Sequence, residues 1–330
     1  MEEKFPDNER LAPSKNVEAQ ELLRLERKIF GAWMYWLTSG DGPDGRLRAS
    51  FISVLNEVER ALKNSSGDFF MGKRVTIVDI MFAPFLERMA ASLLFFKGFQ
   101  IRVAPGEKSE FPAVNKWFDA METLEAYQLT KSDYYTHCWD LPPQLGGCVP
   151  EKGSEPVQNA INGQGSWELP LTPHNGGLEP EWAWAGGLPG DEGIAKREAV
   201  ERVSANFGAI VAFASRGAGK AGFPRYGAPL ADPKAVSNEL IHPFVDTALR
   251  MVCRKLLSEK EDEVSGCNSA MGDVVAAWKK EGGDELIEKV MSSLIYLRDR
   301  VGVPRDMRLP AARQLRAHLN WAIGMLLEVE

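Results

Sequence analysis

The sequence predicts an all-α protein, and three observations carry that prediction. Apolar residues recur at three- and four-residue steps along most of the 330 residues. Capping signals and Gly/Pro clusters mark where those periodic stretches start and stop. No segment shows the apolar/polar alternation of a half-buried strand.

The elements follow in order. Residues 17–37 form a first helix, with Leu22, Leu25, Ile29, Trp33, Trp36 and Leu37 at helical spacing, ended by Ser39-Gly40-Asp41-Gly42-Pro43. Residues 47–62 form a second, with Phe51, Val54, Leu55, Val58 and Leu62 on one face. Residues 63–74 are a loop punctuated by Gly67 and Gly72. A third helix opens at Thr76-Ile77-Val78-Asp79, a capping box in which hydroxyl and carboxylate exchange hydrogen bonds with each other's backbone N–H. Val75 and Ile80 stand at the two positions of a hydrophobic staple, and Pro84 lies inside the helix, where it should kink it. Phe111-Pro112 opens a fourth helix to about residue 124, and residues 127–139 are expected to form a fifth. The composition then turns to Gly, Pro, Asn and Trp, which reads as a linker over 142–191, with Trp167, Trp182 and Trp184 packing parts of it down. Helical periodicity resumes over 194–215, 234–257, 285–301 and 310–327, a second small bundle, with polar 258–283 expected to be a mobile insertion.

Composition narrows the function. A formal net charge of −7 leaves no excess of Lys and Arg to neutralise phosphates, so no nucleic-acid partner is expected. The most apolar window, 80–99, carries Glu87, Arg88 and Lys97 and is a core helix, not a membrane span. Four cysteines without a Cys-x-x-Cys pair argue against a disulfide framework and point to a reduced intracellular compartment. His174, His242 and His318 have no second ligand at helical spacing, so no metal site is expected.

The run Phe69-Phe70-Met71-Gly72-Lys73-Arg74-Val75-Thr76-Ile77-Val78-Asp79, continued by an apolar helix with an internal proline, resembles the core helix entry of the glutathione transferase C-terminal domain. Phe111-Pro112-Ala113-Val114-Asn115-Lys116-Trp117 is similar to that family's next signature. Glu2-Glu3-Lys4-Phe5-Pro6 resembles the tail of the family's thioredoxin-like domain, so the resemblance implies that the glutathione-binding half is missing before Met1. The stretch 296–307 resembles the C-terminal extension of a plant and algal plastid subgroup, so a soluble intracellular protein of the cytoplasm or the chloroplast is expected. The implied organisation is a tail and linker at 1–13, a transferase-type helical domain at 14–141, the linker at 142–191 and a helical extension at 192–330.

The resemblance implies glutathione as co-substrate of the parent protein, held mainly outside this chain. It implies a small hydrophobic electrophile or thiol substrate, with the parent a glutathione transferase or glutathione-dependent thiol reductase. The alternative is a non-catalytic interaction scaffold; a homodimer or a protein partner fits either. No catalytic residue is assigned, and the chain as given is expected to show no transferase activity with a chromogenic electrophile. The family's substrate wall maps onto Phe30, Trp33, Met34 and Trp36, with Tyr134 and Tyr135 able to place a hydroxyl over the pocket. On helical geometry Trp33 and Trp36 share one face, while Phe30, Met34 and Leu37 share another. Each of these is also an ordinary core residue at this spacing. Thr76 and Asp79 are expected to be structural, and Glu87 and Arg88 to form partly buried ion pairs with neighbouring helices. Adjacent His137 and Cys138 point about 100° apart on a helix and are rejected as a base–nucleophile pair. Gly217-Ala218-Gly219-Lys220 lacks the spacing of a phosphate loop and reads as a helix-ending turn.

Overall fold

The computed structural model describes residues 16–40, 44–104, 106–172, 178–179, 192–224, 228 and 230–328. Among them the regular structure is helical, with two isolated β-bridges, Phe69 to Gly72 and Lys220 to Val236. The all-α prediction holds. The described residues fall into two compact units, one within 1–162 and 174–186, the other within 163–173 and 187–330.

The first unit contains α1 (Val17–Thr38), α2 (Arg46–Asn64), α3 (Ile77–Lys97), α4 (Pro112–Glu122), α5 (Glu125–Thr130), α6 (Tyr134–Leu145) and α7 (Glu155–Ile161). Asn16 caps α1 by accepting from the Glu18 N–H at 2.9 Å. Helix α1 packs on α2 and α3, α2 on α4, and α3 on α6 and α7. The central element is α3, whose last nine residues, from Met89 to Lys97, are all buried. A helix apolar on every side has no stable place at a surface. Gly98 ends it at φ 61°, a left-handed conformation that a side chain disfavours. Pro84 lies inside α3. Val75 and Ile80 do not close a buried staple, since Ile80 and its neighbour Met81 are exposed.

The expected helix over 127–139 is two helices. It breaks at Lys131-Ser132-Asp133, because the Asp133 carboxylate accepts from the Thr136 N–H at 3.0 Å and restarts the chain as α6. Residues after Pro142 continue α6 and then form α7, so this stretch is not plain linker.

The second unit contains α8 (Glu192–Ala205), α9 (Phe207–Ala214), α10 (His242–Leu257), α11 (Glu261–Arg298) and α12 (Leu309–Leu327). Helix α11 packs on α10 and α12, and α8 on α10 and α12. The expected insertion over 258–283 is instead the first arm of α11, and Cys267, Met271, Val275 and Trp278 bury its narrow apolar stripe. Gly283 breaks the ladder at φ 62° and ψ −161°, a region open to glycine, and the second arm follows. The expected helix over 194–215 is likewise split, at Asn206. Trp167 is 2% exposed; its carbonyl accepts from Asn320 of α12 at 2.8 Å, and the Arg316 guanidinium lies 4.7 Å from its ring. Residues 1–15, Trp182, Trp184 and His174 lie outside the described residues.

Candidate functional site

The start of α3 is organised by one carboxylate. Asp79 is fully buried. Its Oδ2 accepts from the Thr76 backbone N–H at 2.8 Å and from the Thr76 hydroxyl at 2.9 Å. Its Oδ1 accepts from the Phe70 N–H at 3.0 Å and from the Trp117 indole N–H at 2.9 Å. One side chain therefore ties together the loop before α3, the first turn of α3 and α4. Phe70 stacks on Phe82 with centroids 4.1 Å apart, and this places the loop directly over the helix.

Helix α1 divides its aromatic residues by depth. Trp33 and Trp36 are 1% and 0% exposed. The Trp33 indole donates to Ser92 Oγ at 2.9 Å, and the Trp36 indole donates to Glu151 Oε1 at 2.7 Å. Leu37 is buried with them, so the grouping of Leu37 with Phe30 and Met34 is corrected. Its position four residues after Trp33 and one after Trp36 widens the buried stripe to a full helix face. Phe30 and Met34 are half-buried. Phe30 meets Phe85 of α3 edge-on at 5.0 Å and Trp33 at 5.7 Å. The Arg27 guanidinium lies 4.9 Å from both Phe30 and Phe85, held there by its pairing with Glu26.

Tyr134 and Tyr135 open α6, and both are buried. The Tyr134 N–H donates to Glu179 at 2.8 Å. Burial pushes the Tyr134 hydroxyl well above its ordinary range, with Arg102 opposing, so it is a neutral phenol. Tyr135 packs its ring 6.2 Å from Trp139. Glu87 lies 3.4 Å from His137 Nε2, and Arg88 donates to the Pro84 carbonyl. Cys138 is buried, and burial raises its thiol; Cys148 is half-buried and pushed up to about 11 by burial, with Lys97 opposing. Burial therefore disfavours the thiolate form of both.

A buried ion cluster went unseen in the sequence. Glu122 is fully buried, with Lys131 Nζ at 2.7 Å and Arg102 Nη1 at 3.0 Å. Burial works to raise the Glu122 carboxyl, but Lys131 and Arg102 outweigh it and hold it below its usual range. Its members are 20 and 9 residues apart, a separation that leaves no periodic signal.

Residues 26–120 match the family model for the glutathione S-transferase C-terminal domain. These residues form a glutathione S-transferase C-terminal domain. The chain is similar to a glutathione S-transferase, DHAR2, of Arabidopsis thaliana, 29% identical over 132 residues that cover 40% of this chain and 56% of the relative. It is also similar to a probable glutathione S-transferase, DHAR4, of the same plant, 26% identical over 141 residues covering 42% of this chain and 60% of the relative. The chain thus spans little more than half the length of the curated relatives it matches. No solved structure gives a significant match. Within this transferase-type domain the Asp79 hub, the Trp33/Trp36 core and the Phe30 edge all fall inside the matched residues. No helix among the described residues is long and apolar enough to cross a membrane.

Proposed function

We propose that the transferase-type domain supplies the apolar wall of a glutathione-dependent transferase or thiol reductase, with glutathione held mainly outside this chain. The observation that carries this reading is the half-buried edge formed by Phe30, Met34 and Phe85. Phe30 and Met34 are four residues apart, so they share a strip of α1, and Phe85 of α3 closes it. Trp33 and Trp36 stiffen that strip from behind, because their indole N–H groups are already engaged with Ser92 and Glu151. A small aryl electrophile or apolar thiol substrate would lie against the strip, with the Arg27 guanidinium at its edge. Tyr134 and Tyr135 brace α6 in this reading, and Thr76 with Asp79 sets the angle of α3.

Catalysis would draw its thiolate from glutathione, because burial disfavours the thiolates of Cys138 and Cys148. The domain's part is to bind and orient the acceptor, which raises the rate through proximity. Titration of the full chain with 2,4-dinitrotoluene, followed by tryptophan quenching, tests this. The expected result is saturable quenching through Trp33, with at least tenfold weaker affinity in a Phe30→Ala/Met34→Ala variant. Unchanged affinity in that variant, or no saturation in the parent chain, would remove the wall from α1.

A further inference from the structure

The second unit holds a cavity of about 640 Å³ that the transferase resemblance does not reach. Its walls come from α8, α9, the second arm of α11, the turn after it and the loop around Asp232. Most of the lining is apolar, and Val203, Ile210, Phe213, Leu297 and Met307 contribute to it. Four arginines line the same space, Arg202, Arg216, Arg300 and Arg305, with Asp232 and Asp306 as the acids.

The charges do not cancel. Arg305 and Asp306 pair with each other at 2.8 Å. Arg202, Arg216 and Arg300 make no salt bridge among the described residues. Among the described lining residues, the acid left to face these three is Asp232. Its Oδ2 accepts from the Gly222 N–H at 3.4 Å, and Oδ1 is buried without a partner. Arg300 Nε is also buried without a hydrogen-bond partner. A buried donor on a cation left unpaired is costly and is satisfied when an anion or water arrives.

Two of the three cations are also held in place. The Arg300 guanidinium stacks 3.6 Å from the Tyr296 ring, and its Nη1 donates to the Tyr296 carbonyl at 3.3 Å. Arg216 stacks on Phe213 at 5.2 Å, and its Nη1 donates to the Asp232 carbonyl at 3.5 Å. The turn that carries Arg216 is pinned on both sides. Asn238 N–H donates to the Ser215 carbonyl at 3.1 Å, and Lys220 and Val236 exchange two backbone bonds. At Gly217 a Cβ would stand 2.3 Å from the Ser292 carbonyl, and at Gly219 1.8 Å from the Val236 carbonyl. The glycine-rich turn rejected as a phosphate loop therefore has another use. Its glycines permit close approach to α11 and to the loop over 236–238, and Arg216 is fixed as a result.

We infer that this cavity is a binding site for a small organic anion, with a carboxylate or phosphate head among Arg202, Arg216 and Arg300 and an apolar body against Val203, Phe213 and Leu297. Guanidinium forks fit both head groups in paired hydrogen bonds, and the volume lies in the range of small-molecule sites. The inference does not depend on the wall proposed on α1.

Isothermal titration of the full chain with four probes tests it: 4-phenylbutyrate, 4-phenylbutyl phosphate, neutral 4-phenylbutanol and inorganic phosphate. The expected result is saturable binding of one or both organic anions, at least tenfold weaker binding of the alcohol, and none of inorganic phosphate. Whichever anion binds more tightly identifies the head group. Arg216→Met and Arg300→Met should each weaken that binding at least tenfold, while Arg250→Met, on a surface pair with Asp246, leaves it unchanged. A thermal melt of each variant identifies any that fails to fold, and Arg300→Lys then serves in its place, with an intermediate loss. Equal affinity for the alcohol, binding of inorganic phosphate alone, no heat with any probe, or wild-type affinity in both arginine variants would overturn the site.

Discussion

Replacing Asp79 by Ala should remove most of the stability of the first unit and leave the second intact. The magnitude follows from its four hydrogen bonds. Without the carboxylate, the Phe70 N–H and the Trp117 indole N–H are left in surroundings where those residues are 2% and 0% exposed. Each orphaned donor costs about 2 kcal/mol, and loss of the Thr76 arm adds about 1 kcal/mol. The total, about 5 kcal/mol, equals the whole stability of a marginal domain. Two further variants divide it. Asp79→Asn keeps an acceptor for Phe70 and Trp117 but turns an amide donor toward Thr76, at a cost of about 2 kcal/mol. Thr76→Ala loses only the hydroxyl, about 1 kcal/mol. Hydrogen exchange read by mass spectrometry reports the two units separately on the full chain. Peptides from α3 and α4 should lose protection in the order Asp79→Ala, Asp79→Asn, Thr76→Ala, while those from α10 and α12 should not change. If Asp79→Ala costs no more than Thr76→Ala, or if α10 and α12 open equally, Asp79 does not organise the first unit.

Two predictions concern the second unit. Buried His318 has its Nδ1 2.8 Å from the Gln314 carbonyl, and burial pushes its pKa down to about 4 from the ordinary 6.5. The unfolded chain therefore takes up this proton first. Stability is complete above pH 6.5 and is lost as pH falls toward 4, by about 3 kcal/mol at the end of that window. Urea midpoints followed through α12 exchange from pH 7 to 4.5 should show this fall, and His318→Leu should flatten it; an equally steep fall in the variant would assign the loss to another group. Glu198 accepts from the Arg308 backbone N–H at 3.0 Å and from its guanidinium at 2.8 and 2.7 Å, joining α8 to the start of α12. Glu198→Ala should cost about 2 kcal/mol by the same exchange measurement, below the figure for a fully buried pair because Arg308 can reach water; a change within 0.5 kcal/mol would show the pair to be ornamental.

Helices with a broad apolar face were legible in the sequence, and those with a narrow one were not. The stripes of α1, α2 and α12 extend over several turns with large side chains, so the period stands out. The first arm of α11 buries Cys267, Met271, Val275 and Trp278 at steps of four, four and three. That is helical spacing, but it is one residue wide, and Gly266, Gly272 and the surrounding acids dilute it into something resembling a loop. Breaks failed for a different reason. Asp133 is a polar residue within a periodic stretch, and a side chain that restarts a helix cannot be told from one that faces water until its backbone partner is known. Asn206 breaks the later stretch through its backbone, at φ −139° and ψ 49°, with no side-chain cap that a sequence could advertise.

Chemistry is harder to read than fold, because periodicity reports which face is buried and says nothing of what that face meets. The partners of Trp33 and Trp36, Ser92 and Glu151, lie 59 and 115 residues further along the chain. They determine whether those indoles are available to a ligand, and no spacing within α1 can supply that. The same separation hides the arginine cavity: Arg202, Arg216 and Arg300 sit on three elements spread over almost a hundred residues, in a chain whose net charge is negative. A negative net charge weighs against a partner that needs a whole basic face, such as a nucleic acid. It does not exclude one that needs three guanidiniums at one point, because packing can collect a local excess from a chain that is acidic overall. Functions that rest on a few converging side chains are therefore bounded only weakly by composition, and Arg216, held on a turn of close-packed glycines, shows how local backbone fit can carry such a signal.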